Sequence, residues 1–336
     1  MLLDPSRRLG LLLGVMLVLS SGGGAWAVGR DRLLGLLESV SAQAIKRHVT
    51  VLGSDAFEGR APGTPGGDRA AAYIESQLRS FGVEGALPDG SLRQPVPLHG
   101  SVALSESRLG LESRGKSRDL ELGRDYLLLT SGEQTLIPQP VPAVFVGFGV
   151  VAPEFDYNDY ADLDVTGKVV VYLGGEPPSD DDDYFDGARP TVYSTAEAKK
   201  RIALSRGARG SLLIPLVDDN IEARWARTRR DFDFEDLALA YTVPGHLSAI
   251  LHPGLAEWLF SDALYDWDQV RAMAGGGVLR SFRLPVTVAF QGRFRTRDVL
   301  SPNLVARIPG RDPTLSRSAV VVSAHYDHLG VGPAVD

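Results

Sequence analysis

Two side chains of the run His325-Tyr326-Asp327-His328-Leu329-Gly330 have the types and spacing for metal chemistry: His325 and Asp327. In extended backbone, residues i and i+2 point to the same side, so the imidazole and the carboxylate share a face. One can then bind a metal while the other orients a neighbouring ligand. Imidazole suits zinc, and a nearby carboxylate is the usual partner that fixes its tautomer. The alternative for so short a pattern is a surface turn with a satisfied histidine.

The element that must position this pair lies directly before it. Residues 318–324 (Ser-Ala-Val-Val-Val-Ser-Ala) are the strongest buried-strand run in the chain, near-continuously apolar as in a sheet covered on both faces. In open α/β sheets, sites form just beyond the carboxyl ends of the strands.

The run Val320-Val321-Val322-Ser323-Ala324-His325-Tyr326-Asp327-His328-Leu329-Gly330 resembles the first catalytic motif of the di-zinc exopeptidase family, which includes aminopeptidase Y-like enzymes, glutamate carboxypeptidases and the non-enzymatic transferrin receptor. Three further stretches agree, in the same order along the chain. Ser301-Pro302-Asn303-Leu304-Val305-Ala306-Arg307-Ile308-Pro309-Gly310 resembles the strand before that motif. Val144-Phe145-Val146-Gly147-Phe148-Gly149, Asp159-Tyr160 and Asp164-Val165-Thr166-Gly167-Lys168-Val169-Val170-Val171 resemble an inserted protease-associated domain. Residues 48–81, with Glu58-Gly59-Arg60 and Gly63-Thr64, resemble the family's N-terminal helices. The similarity covers most of residues 40–336.

The resemblance implies that His325 ligates one zinc and that Asp327 orients the site without being a ligand. His328 matches a common family residue but is assigned no metal; a loop or packing role is its alternative. The family's remaining groups are a bridging Asp, a Glu-Glu pair supplying a general base and a ligand, another Asp and a final His. After Asp327 this sequence offers only Asp336 as a carboxylate and no Glu. A catalytic zinc takes about three protein ligands, and a two-metal site holds its ions about 3.5–4 Å apart with more. The expectation is therefore an N-terminal fragment cut after the first metal motif, which does not retain the two zinc ions and by itself shows zinc content and turnover near zero.

Other chemistries find less support. There is no His-Glu-x-x-His and no Gly-x-Ser-x-Gly, so neither a thermolysin-type site nor a serine-hydrolase elbow is indicated. Gly147-Phe148-Gly149 is a lone G-x-G and reads as packing. Residues 180–183, all Asp, lack the ordered spacing of a calcium loop and read as solvated; Asp156, Asp159, Asp162 and Asp164 read the same way. His246 and His252 read as non-ligands, His48 and His99 have no evident partner, and Trp225, Trp258 and Trp267 read as core.

The composition sets outer bounds. The chain has 336 residues, 44% hydrophobic and 23% charged, with 35 Lys and Arg against 42 Asp and Glu, a net charge of −7. This mild acidic balance argues against nucleic acid as the main partner. With no cysteine, thiol nucleophiles, disulfides, Cys-based zinc sites and a lipoprotein anchor are all excluded. The N-terminus reads as a signal peptide: Arg7 and Arg8, an apolar run over 9–20, and Ala25-Trp26-Ala27 as the cleavage pattern, with Val28 starting the mature chain. A retained membrane anchor is the alternative.

Along the chain, helical spacing covers 31–48 and 68–81, the second capped by Asp68 and stopped by Gly82, with a Gly/Pro-rich loop between them. Short strands and turns fill 86–137. Apolar runs at 143–151, 168–173 and 211–217 predict strands, residues 196–205 a helix ended by Gly207, and 284–290 and 304–308 further strands. The fold class expected is α/β: a helix-covered, mostly parallel central sheet, incomplete here, interrupted by a β-rich protease-associated domain. The domain reading is signal peptide 1–27, N-terminal part of the peptidase domain 28–137, protease-associated domain 138–295, and the start of the metallopeptidase core 296–336. The function expected is a zinc-dependent exopeptidase of aminopeptidase type, exported to the periplasm or secreted, acting on peptide or protein N-termini, with no stable membrane span after signal cleavage. The competing reading is a non-catalytic protein- or peptide-binding module.

Overall fold

The computed structural model describes residues 40–332 except 131, 133–135, 218, 233, 243–244 and 316, together with 34, 35, 37 and 38. The expected signal peptide, the mature start at Val28 and Asp336 lie outside the described residues. The chain divides into two compact units, residues 1–55 and 56–336. In the first, α1 (Ala42–Leu52) starts at Ser41, whose hydroxyl accepts from the Ala44 amide and so satisfies one of the helix's open donors.

The second unit opens with α2 (Pro65–Ser80). Its cap is Thr64 rather than Asp68: the Thr64 hydroxyl accepts from Gly67 N–H and Pro65 takes the first helical position, where its missing N–H costs nothing. Asp68 falls in the first turn instead. Gly82, at φ +70°, ends the helix as the sequence predicts. There follow β1 (Glu84–Gly85), β2 (Arg93–Ala103), β3 (Arg108–Ser113), β4 (Lys116–Glu121), β5 (Tyr126–Leu128), β6 (Ile137–Phe145), β7 (Val151–Ala152), β8 (Tyr157–Asn158) and β9 (Val169–Leu173). Then come α3 (Ala196–Ser205), β10 (Gly210–Ile214), α4 (Ile221–Asp231), β11 (Asp236–Leu239), β12 (Leu247–Leu251), α5 (Ala256–Phe260), α6 (Trp267–Gly275), β13 (Phe282–Gln291), β14 (Phe294–Leu304) and β15 (Ala306–Arg307).

The large sheet runs β4-β3-β13-β6-β9-β10-β12-β5. Its middle pairings, β6 with β9, β9 with β10 and β10 with β12, are parallel; the outer ones are antiparallel. Parallel neighbours need a crossover, and α3 and α4 supply it between β9, β10 and β12. Every residue of β9 (Val-Val-Val-Tyr-Leu) is buried, because the sheet is covered on both faces. Phe145, Val171 and Leu173 join one core with Phe260 and Phe282, while Val144, Val170 and Tyr172 join the other with Ala203 and Trp225. This sheet is mixed, and besides the strands after residue 138 it contains β3, β4 and β5, which precede that residue.

A smaller sheet, β11-β2-β14, lies apart from it in pairing, and β2 and β14 match along their whole length. Residues 318–324 form no strand. Val320, Val321 and Val322 are 93%, 84% and 92% exposed. A buried-type strand takes its hydrogen bonds from neighbours, and no strand of the described residues runs beside this one. No helix of the described residues is long and apolar enough to cross a membrane.

Asp159, expected to be solvated, is only 8% exposed. Its carboxylate accepts from Val150 N–H at 3.0 Å and from the Tyr157 hydroxyl at 2.8 Å. Gly147, at φ +51°, leaves room for it: a Cβ there would lie 2.3 Å from Asp159 Oδ1. Burial pushes this carboxyl up to about 6, against the lowering pull of those hydrogen bonds and of Lys199. A pKa raised on folding means the folded state holds the proton more tightly, so the contribution to stability is full at acid pH and lost as pH rises through about 6. Asp159→Asn should therefore remove a downward slope in stability across roughly pH 4–6. Urea midpoints measured over that range test it, and parallel curves for the two proteins would refute it.

Candidate functional site

The site begins with an unusual turn. Glu58, Gly59 and Arg60 all have positive φ, at 46°, 62° and 56°. Left-handed backbone at Glu58 and Arg60 costs on the order of 1 kcal/mol each and persists only where the surroundings hold it. Here the holding partner is the motif far along the chain. His328 N–H donates to Arg60 C=O and Gly330 N–H to Gly59 C=O, each at 3.1 Å. Arg60 Nε donates to Tyr326 C=O at 2.8 Å. The Tyr326 hydroxyl reaches Pro302 C=O at 2.6 Å, and burial raises its pKa.

Three stretches singled out in the sequence therefore meet: Glu58-Gly59-Arg60, Ser301-Pro302 and His325-Tyr326-Asp327. Glu58, His325 and Asp327, from the first and last of these stretches, line a cavity of about 820 Å³ together with Pro62, Phe234 and Leu237. Arg297 closes one side. It grips Glu235 with two guanidinium nitrogens and donates to Gly63 C=O at 3.1 Å, and the Glu235 hydrogen bond raises its pKa. A two-pronged contact of this kind fixes orientation as well as position. Neither Glu235 nor Arg297 carries a sequence signal, because Glu235 lies in the weakly patterned stretch 218–280 and its partner is 62 positions away.

His325 is 84% exposed at its side chain. Its Nδ1 lies 3.0 Å from Asp327 C=O and 3.8 Å from Asp327 Oδ1. A carbonyl only accepts, so Nδ1 carries the hydrogen. In the neutral ring Nε2 is then the nitrogen that carries the lone pair, the form in which imidazole binds a metal. His328 behaves differently: its Nδ1 accepts from Leu329 N–H at 2.7 Å, which is a loop role.

One nitrogen donor is not a zinc site. No group of three or more His, Asp or Glu able to hold a metal occurs among the described residues, and a catalytic zinc needs about three protein ligands. The described residues thus do not fit a resident zinc on their own. Three of the other side chains weighed for metals make structural contacts instead. His252 accepts from Gly254 N–H and sits against Trp225. His99 pairs with Asp298 at 2.8 Å. In the acidic loop, Asp183 N–H turns back to Asp181 Oδ1.

No protein-family model matches the chain. No curated protein matches it either. Among solved structures, it is similar to an aminopeptidase from Aneurinibacillus sp. strain AM-1, at 17% identity and a TM-score of 0.40, over 82% of this chain and 50% of that one. It is also similar to BSAP, a zinc aminopeptidase from Bacillus subtilis, at 15% identity and a TM-score of 0.28, over 75% of this chain and 45% of that one. The chain spans about half the length of these solved proteins.

Proposed function

We propose that the chain is part of a zinc-dependent exopeptidase of aminopeptidase type, in which His325 is a metal ligand and Asp327 the carboxylate that orients the site. The observation that carries this reading is the docking of Glu58-Gly59-Arg60 and Pro302 onto the His325–Gly330 segment, of which Glu58, His325 and Asp327 line one cleft. These are the stretches whose residues resemble that family. The cleft suits a peptide N-terminus. Pro62, Pro65, Phe234 and Leu237 offer apolar wall; Glu235 is paired with Arg297 and Glu58 with Arg69, so Asp327 is the lining carboxylate left to favour a cationic amine. Residues 138–295 are proposed as a protease-associated domain, and the protein as exported to the periplasm or secreted.

The test is release of N-terminal residues by the gene product as cells make it. Chelation should abolish it and zinc restore it. His325→Ala should lower kcat/KM by about 100-fold or more, and Asp327→Asn by about 10–100-fold through weaker zinc affinity. Residues 28–336 alone should stay inactive. Turnover that survives His325→Ala would sink the proposal.

A second reading, a non-catalytic peptide- or protein-binding module, is favoured by the exposed valines at 320–322, since exposed apolar stretches mark contact surfaces. Saturable peptide binding without any turnover in the gene product would select it.

A further inference from the structure

Lys199 is fully buried, at 0% exposure, on the sheet side of α3. Its Nζ donates to the carbonyls of Phe148, Leu173 and Gly175. Leu173 is the last residue of β9, and Phe148 and Gly175 lie in the turns that follow β6 and β9. Phe148 and Tyr172 place their rings 5.7 Å and 5.9 Å from Nζ. Desolvation pushes the ammonium down from its usual range, and Asp159 and Glu176, the carboxylates that face it, pull it back up.

The acceptor count decides the charge state. A neutral amine has two hydrogens and a lone pair, so one of the three carbonyls would face that lone pair. An ammonium has three hydrogens and satisfies all three. Inward-pointing carbonyl oxygens with ring faces and carboxylates nearby are also the surroundings that hold free monovalent cations. We infer that the Phe148, Leu173 and Gly175 carbonyls form a monovalent-cation site whose resident occupant is the chain's own ammonium, and that free ammonium or potassium takes the site when Lys199 is shortened. The occupant ties the ends of β6 and β9 together beneath a second cavity of about 510 Å³, which Phe148, Gly175, Glu176, Pro178 and Arg271 line. This inference is independent of the peptidase reading.

Lys199→Ala opens the space for an ion; Lys199→Met fills it with hydrocarbon and is the control. The Ala variant should melt roughly 5–10 °C lower than the parent, a shift matched to stranding three carbonyls in a unit of this size. Ammonium chloride and potassium chloride should recover at least half of that loss, and tetramethylammonium chloride at equal ionic strength should not. The Met variant should respond equally to all three salts. An unchanged melting temperature in the Ala variant, equal response to all cations, or equal rescue of the Met variant would overturn the inference. If the Ala variant does not fold, nitrogen-15 NMR of the parent decides. A slowly exchanging Nζ signal split by three protons is expected, and a two-proton signal overturns it.

Discussion

Gly59→Val is expected to detach the His325–Gly330 segment from the turn at residues 58–60 while leaving the large sheet intact. The reason is steric twice over. Gly59 sits at φ +62°, where a β-branched residue is strongly disfavoured. A Cβ there would also lie 2.3 Å from Gly330 C=O and 2.7 Å from its carbonyl carbon. Neither atom belongs to a flexible side chain, so the two backbones must separate. The hydrogen bonds from His328 and Gly330 would break with them, and the left-handed strain at Glu58 and Arg60 would lose its restraint. The expected local cost is about 2–4 kcal/mol, from the strain and the lost bonds together. Hydrogen exchange reads it directly: the His328 and Gly330 amides should lose protection, while those of β9 and β10 keep theirs. Unchanged protection at 328 and 330 would show that the docking does not depend on the absence of a side chain at 59. In the gene product, the same variant should abolish any peptidase activity, since it moves His325 and Asp327 together.

The second large effect belongs to the core. Phe145→Ala should destabilise the second unit by about 3–5 kcal/mol and lower its melting temperature by about 10 °C. Phe145 is 0% exposed, and its ring centroid lies 5.2 Å from both Phe260 and Phe282. It therefore pins α5 and β13 onto the end of β6. Denaturant midpoints, with an unchanged dependence on denaturant, are the measurement; a loss below about 1 kcal/mol would mean that the cavity collapses freely.

The two predictions differ in how far sequence could have led to them. Phe145 lies in an apolar run whose burial follows from composition alone, as do Val169-Val170-Val171 and the helix over 196–205. Gly207, at φ +81°, ends that helix where expected. The strand β12 carries little local signal because Leu247–Leu251 sits between histidines and a proline in a weakly patterned region. The run at 318–324 failed for the opposite reason. Its local signal is strong, but a strand is completed by partners, and among the described residues it has none. Asp159 is indistinguishable in sequence from Asp156, Asp162 and Asp164; only the fold shows that this one turns inward beside Gly147. At the site, His325 and Asp327 were legible as a pair. The positive φ angles of Glu58 and Arg60 were not, since nothing about those residue types asks for left-handed backbone, and the link from Arg60 to Tyr326 spans 266 positions.

The strand order bears on how the molecule is made. β13 (Phe282–Gln291) lies between β3 and β6, so the strand that joins the two parts of the large sheet is its last to be synthesised. Until it arrives, the β3–β4 hairpin and the β6-β9-β10-β12-β5 group each keep an open edge. The final pairing of residues 108–112 with 287–291 closes a very long loop, and such closures slow folding. Nascent or newly denatured chains should thus dwell in a split-sheet state, vulnerable to proteases and to strand exchange between copies, and the ribosome will have passed residue 291 before either edge is sealed.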